Sequence, residues 1–179
     1  MLSRITDFKI KPLNINELPL EIFIFAENCK AQNIKNNESI EAMKLGKWKN
    51  ENWWTTWVND QIVSISGCHQ FSEYKENCWR LMVRTATLKE FRGKAPGNFR
   101  QIKNDFNWGF ILPYQIDYAK SQGAKTLVFT TNSDLNGDFN SLRTDKTIRT
   151  ILEPQGLVKL IDENVNIFYT KQNVWEIIV

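Results

Sequence analysis

Two periods of apolar and polar residues run along the chain. In the first, apolar positions alternate with polar ones or form short β-branched and aromatic runs bounded by turn residues, a pattern typical of strands. Seven segments have this pattern and are predicted as strands: Phe8–Leu13, Trp53–Val58, Ile62–Gly67, Cys78–Thr87, Thr126–Thr131, Val158–Ile161 and Val165–Thr170.

The second period is that of helices. Leu18, Ile22, Phe25 and Cys29 recur on one helical face, and Pro19 fits the first turn of such a helix. Three more segments are predicted as helices: Ser39–Leu45, Leu112–Lys120 and Thr144–Leu152. The resulting order is β-α-α-β-β-β-α-β-α-β-β. Because no internal repeat, linker or low-complexity tract interrupts it, residues 1–179 are expected to form a single α/β (α+β) domain.

Composition agrees with a folded domain. The chain has 179 residues, of which 42% are hydrophobic and 24% charged, so one core stabilised by packing is expected. The three cysteines, Cys29, Cys68 and Cys78, are odd in number and have no metal-ligand spacing, which favours buried thiols in a reducing compartment. The apolar run Leu18–Ala26 is too short to span a bilayer, and the amino terminus lacks a signal-peptide pattern. We therefore expect a cytoplasmic protein without a membrane partner.

Charge is distributed unevenly. The net charge of the chain is only +3, but the segment Arg84–Lys103 contains six basic residues and one acidic residue. An anionic ligand is therefore expected to dock there. Phe91 and Phe99 lie within this segment and Phe106 shortly after it, an interleaving that could serve single-stranded nucleic acid. The weak overall charge makes nucleic acid the less favoured partner.

One short motif inside this basic segment resembles a known family. The strand that ends at Thr87 leads to Arg92-Gly93-Lys94-Ala95-Pro96-Gly97. This run is similar to the Arg/Gln-x-x-Gly-x-Gly/Ala signature of the GNAT superfamily of acyl-CoA-dependent N-acyltransferases, with Ala95 at the first glycine position. The order of elements also looks like the GNAT fold, which implies a mixed, mostly antiparallel central sheet of about 6–7 strands flanked by helices.

The resemblance implies a cofactor site for acetyl-CoA or another acyl-CoA. Backbone N–H groups in a glycine-containing loop at a helix start hold a diphosphate well, because they point at its oxygens and the helix dipole adds positive potential. The implied cofactor-binding residues are Thr85, Ala86, Thr87, Arg92, Gly93, Lys94, Ala95 and Gly97. Without the order of elements, the same run would be read as a solvated basic turn.

The chain departs from the family after this loop. From Gly97 to Gly123 it has about ten residues more than typical members. Phe99, Ile102 and Phe106 have helical spacing, and Pro113 disfavours a continuous helix, so an inserted turn or short helix and a break near Gly109 are predicted. The insertion is either a substrate lid or a passive packed segment.

Candidate catalytic groups are few. The glutamate that family members commonly have on the fourth strand is missing, and Leu152 stands where their tyrosine would lie. His69, the sole histidine, and Tyr114 are the candidates for base and acid, since a histidine pKa near 6.5 suits proton transfer. A hydrogen-bonded histidine at a strand end is the alternative interpretation of His69. Other residues that could serve are Glu73, Tyr74 and Tyr118.

Two further patterns in the sequence concern ligand binding. The tryptophans at 48, 53, 54 and 57 could stack on a planar ligand, although core packing is the commoner role of such residues. The stretch Asn132–Asp138 is rich in carboxylate and amide oxygens but lacks the register of a calcium loop, so no metal is expected.

The functional hypothesis is transfer of an acyl group, by expectation acetyl, from CoA to an amine of a small molecule or peptide by direct attack. A catalytically degenerate binding module and a single-stranded nucleic-acid binding domain are the alternatives. A homodimer is a further expectation.

Overall fold

The fold is described by a computed structural model covering residues 4–34, 48–99, 102–103, 105–133, 145–167 and 170–178. The predicted helix Ser39–Leu45 and most of the loop Asn132–Asn140 lie outside these residues. Nine strands are present in the described ranges: β1 Lys9–Leu13, β2 Asn52–Val58, β3 Gln61–Gln70, β4 Cys78–Thr87, β5 Asn98–Phe99, β6 Ile102–Lys103, β7 Thr126–Asn132, β8 Val158–Ile167 and β9 Thr170–Ile177.

Seven of these strands form one sheet in the order β1-β2-β3-β4-β7-β9-β8, and β5 and β6 pair separately. All neighbours in the large sheet are antiparallel except β4 and β7, which are parallel. The sheet confirms the predicted fold class. It also places the apolar strand β7 between two others, as its β-branched run favours.

Helical elements cover the sheet. Helix α1 spans Leu20–Ala31 and helix α2 spans Leu112–Ser121. A π-helical turn, Asn107–Ile111, leads directly into α2, and a second π turn, Ile148–Leu152, follows three helical residues at 145–147. Short 3-10 turns lie at Lys89–Phe91 and Glu153–Gln155. The helix predicted to end at Leu152 is therefore present over its described residues.

The sheet separates two main apolar cores. The larger core includes α2, where Leu112, Ile116 and Ala119 are buried as their spacing predicts. The second core packs α1 against β3 and the end of β4, with Ile22, Phe25 and Cys29 turned inward, and the third small cluster includes Phe71 and Val128. All three cysteines are buried thiols.

A close contact joins β2 and β3 inside the second core. The indole of Trp53 lies over Gly67, and a Cβ added at Gly67 would come within 2.7 Å of the ring atom Cδ2. The predicted hairpin is confirmed here, since Trp53 pairs with Gly67 in the register. Trp53 and Trp54 are both buried, which agrees with the packing interpretation of the tryptophan cluster.

The prediction of two closing strands at Val158–Ile161 and Val165–Thr170 is wrong. Both segments belong chiefly to the single strand β8, and the true last strand is β9. The polar residues between them suggested a turn, but register shifts on either side of Asp162 absorb them within the β8–β9 pair, with Asn164 at φ 53°. A bulge rather than a turn explains the polar break.

The prediction for the insertion is also wrong in part. A short β5–β6 hairpin replaces the expected turn or helix, and the helical segment runs from Phe106 through Gly109 without a break. The N–H of Leu112 bonds to the carbonyl of Asn107 five residues back, one residue more than in an α-helix. This wider turn precedes Pro113 and accommodates its missing N–H.

Candidate functional site

A gap opens in the middle of the sheet. Strands β4 and β7 pair over only three positions, ending with Arg80 opposite Val128. Beyond them β7 continues to pair with β9, whereas β4 continues to Thr87 beside β3. We call the space between Leu81–Thr87 and Phe129–Asn132 the strand gap. A parallel pair that parts in this way leaves one edge of β4 available to a ligand rather than to a strand.

The backbone of β4 is bulged where the gap begins. Met82 and Arg84 have φ values of 57° and 48°, in the left-handed region that residues with a side chain rarely adopt. The register to β3 shifts on both sides of Gly67 at the same level. Each such residue costs on the order of 1 kcal/mol or more, and backbone strain of this kind concentrates at functional sites.

A polar network from α2 reaches this bulge. The Gln115 side chain accepts a hydrogen bond from the Met82 N–H at 2.9 Å and donates one to the Ser66 hydroxyl at 2.9 Å. Ser66 in turn shares a 2.8 Å hydrogen bond with the Thr85 hydroxyl. Gln115 and Ser66 are fully buried. Helix α2 therefore satisfies one β4 amide that faces away from β3.

At the other end of the strand gap, Asn107 contacts the last residues of β4. Its side-chain amide donates to the Ala86 carbonyl at 3.3 Å and to the Thr87 hydroxyl at 3.0 Å. The structure thus brings together the three β4 residues predicted to bind cofactor, Thr85, Ala86 and Thr87. The Thr85 hydroxyl has its partner in Ser66 of β3, and the Ala86 carbonyl and Thr87 hydroxyl have theirs in Asn107 of the π turn.

The predicted phosphate loop, Arg92–Gly97, follows the 3-10 turn. Gly93 and Gly97 have φ values of 73° and 66°, which glycine adopts readily. The amides of Arg92 and Lys94 bond back to the Lys89 and Phe91 carbonyls at 3.3 Å each. The loop also contacts the start of the chain through Lys94, whose carbonyl accepts from the Ile5 N–H at 2.8 Å.

The side chains of this loop differ in exposure. Arg92 is exposed and its Nε donates to the Thr87 carbonyl at 3.1 Å, whereas Ala95 is fully buried. The Ala95 methyl group is therefore enclosed by the protein at the position where the family signature has glycine. Lys94 is partly buried.

The loop does not lead into a helix. The β5–β6 hairpin follows Gly97, and the helical segment begins beyond it, at Phe106. The Asp105 carboxylate accepts from the Trp108 N–H at 2.9 Å, and its carbonyl accepts from the Gly109 N–H at 2.9 Å. Burial raises the pKa of Asp105, while the Trp108 and Asn107 amides and the charge of Arg92 oppose the rise. The positive end of this helix is therefore already capped by the Asp105 carboxyl group.

These observations test whether the chain fits CoA. The strand gap fits an extended amide arm. The helix start does not offer its first amides to a diphosphate, because Asp105 caps them. The loop Arg92–Gly97 has the basic side chains of Arg92 and Lys94, and its contact with phosphate stays a prediction.

His69 lies at the narrow end of the gap. It stands opposite Arg80 in the β3–β4 register, is fully buried and stacks on Trp48 with ring centroids 4.8 Å apart. Burial and the charge of Arg80 lower its pKa to about 4, partly offset by a 2.8 Å hydrogen bond between Nδ1 and the Gln70 carbonyl. At neutral pH the ring is uncharged, with Nδ1 as donor and the lone pair on Nε2.

Tyr114 lies apart from this region. Its side chain is 51% exposed, whereas the next residue, Gln115, is fully buried in the network at Met82. Adjacent helix positions point about 100° apart, so Tyr114 is turned away from the β4 bulge. Its assignment as an acid stays a prediction.

Glu73 and Tyr74 lie in the loop after β3. Tyr74 donates to Asp162 at 2.8 Å, and burial together with this carboxylate raises its pKa. The two residues line a pocket with Phe71 and the end of β8. This pairing favours a structural role for Tyr74.

Glu51 was missed by sequence reasoning. It precedes β2, its side chain is only 8% exposed, and neither carboxylate oxygen has a hydrogen-bond partner among the described residues. Burial raises its pKa, while the Trp53 indole, which falls short of full hydrogen-bond geometry, and the charge of Arg84 oppose the rise. The segment Lys49–Asn52 is entirely polar, so no apolar periodicity marked this carboxylate as buried.

Glu51, His69, Arg80 and Arg84 form what we call the sheet-face cluster. Continuing the β2–β3 register places Glu51 beside His69, which is opposite Arg80, the last β4 residue paired with β7. The Arg84 guanidinium lies 5.3 Å from the centre of the Trp48 ring that also stacks on His69. The cluster therefore stands where the strand gap begins.

Other site classes were searched in the same residues. Among the described residues, no group of three or more His, Cys, Asp or Glu side chains is arranged to hold a metal ion. No helix within the described ranges has the length and apolar character needed to cross a bilayer.

Comparison with known proteins identifies the fold. No family model and no curated protein matches the sequence. Among solved structures, the aminoglycoside 6'-N-acetyltransferase from Enterococcus faecium superposes with a TM-score of 0.58 at 16% identity, covering 94% of this chain and 94% of that one. The Campylobacter jejuni N-acetyltransferase PseH gives 0.54 at 15% identity, covering 94% and 96%.

An aminoglycoside 6'-N-acetyltransferase complexed with coenzyme A gives a TM-score of 0.56 at 14% identity, covering 94% of both chains. The chain therefore has the GNAT fold, as the element order and the Arg92–Gly97 motif predicted. At these identities the likeness concerns the fold.

Proposed function

We propose that this chain, which has the GNAT fold, is an N-acyltransferase that moves an acyl group, by preference acetyl, from CoA to an amine. The strand gap carries the proposal. The sheet parts after three residue pairs, and the parting strand is bulged at Met82 and Arg84. The solved neighbours with this fold include N-acetyltransferases, one of them in complex with coenzyme A.

The gap suits the pantetheine arm. Such an arm is extended and carries amides, so it can add to the open edge of β4 as a strand would. Thr85, Ala86 and Thr87 are proposed to line it, and Gln115 and Asn107 exchange their present hydrogen bonds for contacts with the arm. Arg92, Gly93, Lys94, Ala95 and Gly97 are proposed to meet the phosphates. CoA itself supplies the activated thioester.

Proton transfer is assigned to the sheet-face cluster. An acceptor ammonium must lose a proton before it attacks, and a group with a pKa moved toward neutrality is suited to receive it. The buried carboxylate of Glu51 has its pKa raised, so it is a stronger base than an exposed glutamate. His69 is the second proposed acceptor through Nε2, and its lowered pKa of about 4 makes it a weaker base than an exposed histidine.

A second candidate function is a binding module with the same fold but without the reaction. Two observations favour it: Asp105 occupies the helix start, and Gln115 occupies the Met82 amide. A chain that had lost its cofactor would be expected to fill the vacated polar positions with its own side chains.

Calorimetry with acetyl-CoA, followed by thiol release with a panel of amines, distinguishes the two. The transferase requires both saturable binding and amine-dependent release of free CoA. Binding without release from any amine supports the module instead. Absence of heat at millimolar acetyl-CoA contradicts the acyltransferase outright.

A further inference from the structure

The sheet-face cluster contains opposite charges that do not satisfy one another. Arg84 attracts Glu51 electrostatically, yet the two form no ion pair within 4.0 Å in the described part of the chain. The Nε atom of Arg84 and both Glu51 oxygens are buried without a hydrogen-bond partner there. Each buried polar group left without a partner costs about 1–3 kcal/mol.

Such an arrangement is costly unless a ligand completes it. A carboxylate and a guanidinium could lower the cost by closing on each other. Each group has an aromatic neighbour: Arg84 lies against the Trp48 ring, and the Trp53 indole N–H lies near Glu51 without completing a hydrogen bond. Two unfilled binding groups of opposite sign therefore lie beside aromatic rings in one cluster.

The chemistry of each group defines its complement. A buried carboxylate binds an ammonium best, and an arginine whose planar fork is stacked on a ring binds a carboxylate or phosphate. The ligand that matches both at once is a zwitterion. The cluster lies where the strand gap begins, beside the last β4–β7 pair, Arg80 and Val128.

We propose that the acceptor is a small amine that also carries a carboxylate, with its ammonium at Glu51 and its carboxylate at Arg84. The inference rests on the proposed function only in naming this ligand the acceptor of the acyl group, since its binding needs no acyl transfer. A free amino acid is the simplest compound of this class. Polyamines and simple alkylamines lack the carboxylate that Arg84 would bind.

Glu51 is proposed to contact the ammonium and Arg84 the carboxylate. Each residue should therefore affect only the ligands that have its partner group. The wild-type chain is titrated by calorimetry, without acetyl-CoA, with L-phenylalanine, phenethylamine and 3-phenylpropionate, which share one ring and differ in charge. A matched small set is L-alanine, ethylamine and propionate. The zwitterion of at least one set is expected to bind about tenfold or more tightly than either partner, since charge-assisted hydrogen bonds contribute about 1.5–3 kcal/mol each.

Variants make the assignment specific. Glu51→Gln is expected to weaken the zwitterion and the amine about tenfold and leave the carboxylate probe unchanged, whereas Arg84→Gln does the reverse. Glu27→Gln on the exposed face of α1 and Lys9→Gln on β1 are matched controls that bind as wild type. Equal binding of the three probes, no binding of either zwitterion, or equal losses with all probes in both variants overturns the inference.

Acetyl-CoA binding is measured separately on the same proteins. Its absence counts against the acyltransferase and leaves the zwitterion result standing. If acetyl-CoA binds but zwitterions are not preferred, the proposed class of acceptor is wrong, while the proposed acyltransferase function is not contradicted.

Discussion

The carboxylate of Asp105 accepts a hydrogen bond of 2.9 Å from the Trp108 backbone N–H at the start of the helical segment that becomes α2. This is the end of the helix where the dipole favours negative charge. An aspartate therefore occupies the position at which a diphosphate is expected in a cofactor loop that leads directly into a helix. A cofactor phosphate at this helix end would lie next to the Asp105 carboxyl group.

Neutralising that carboxylate tests the competition. Asp105→Asn keeps an oxygen that can cap the helix but removes the charge, so we expect acetyl-CoA to bind about two- to fivefold more tightly, from a dipole interaction of about 0.3–1 kcal/mol. Calorimetry at low salt measures it. Asp117→Asn, exposed on α2, is the control. Equal or weaker binding by Asp105→Asn means that the phosphates lie elsewhere.

The Gln115 network is expected to contribute to stability. Gln115→Met keeps the volume but leaves the Met82 N–H and the Ser66 hydroxyl without this partner, which costs about 1–3 kcal/mol of unfolding free energy. Urea unfolding followed by circular dichroism measures the loss. Lys120→Met at an exposed position of α2 provides the comparison. A change no larger than that of Lys120→Met contradicts the network's role.

The contact between Trp53 and Gly67 forbids a larger residue. Gly67→Ala brings a methyl group within 2.7 Å of the indole, and overpacking of this kind costs about 1–3 kcal/mol. Thermal melts report the loss. Trp53→Leu in the same chain removes the clash, so adding Gly67→Ala to it should cost little. If Gly67→Ala costs as much beside leucine as beside tryptophan, the ring contact is not the cause.

Burial of His69 makes stability depend on pH. Its pKa is lowered from 6.5 to about 4 in the fold, so the unfolded chain binds a proton that the folded chain refuses. The stability conferred by the neutral ring is present above about pH 6.5 and is lost as pH falls toward 4, by on the order of 3 kcal/mol. Urea unfolding of wild type and His69→Gln between these pH values measures the difference. If the difference in unfolding free energy between the two proteins stays constant with pH, His69 is not buried in its neutral form.

Much of the fold follows from local patterns. The alternation in Trp53–Val58 and Ile62–Gly67 predicted the hairpin, and Leu112, Ile116 and Ala119 predicted the buried face of α2. The end of the chain escaped prediction because a bulge at Asp162 and a turn have the same polar composition. The hairpin at 98–103 escaped it because helical spacing of three aromatic and aliphatic residues is too short to exclude a strand.

Local patterns of the sequence reached only the backbone of the candidate site. Gly93 and Gly97 have positive φ, and Thr85–Thr87 form the end of β4 beyond its pairing with β7, while their role in binding a cofactor stays a prediction. Glu51 could not be found, since its burial arises from the pairing of β2 with β3 and from Trp53. The cap at Asp105 depends on where the helix begins after the hairpin, which no local signal specified.

The central claim is that the strand gap binds the arm of CoA. Titration of isotopically labelled protein with acetyl-CoA, followed by backbone amide chemical shifts, tests it most directly. The account predicts saturable shifts concentrated in Met82–Thr87 and Phe129–Asn132, with Lys9–Leu13 of β1 unaffected. Shifts that are absent, or that concentrate away from β4 and β7, contradict it.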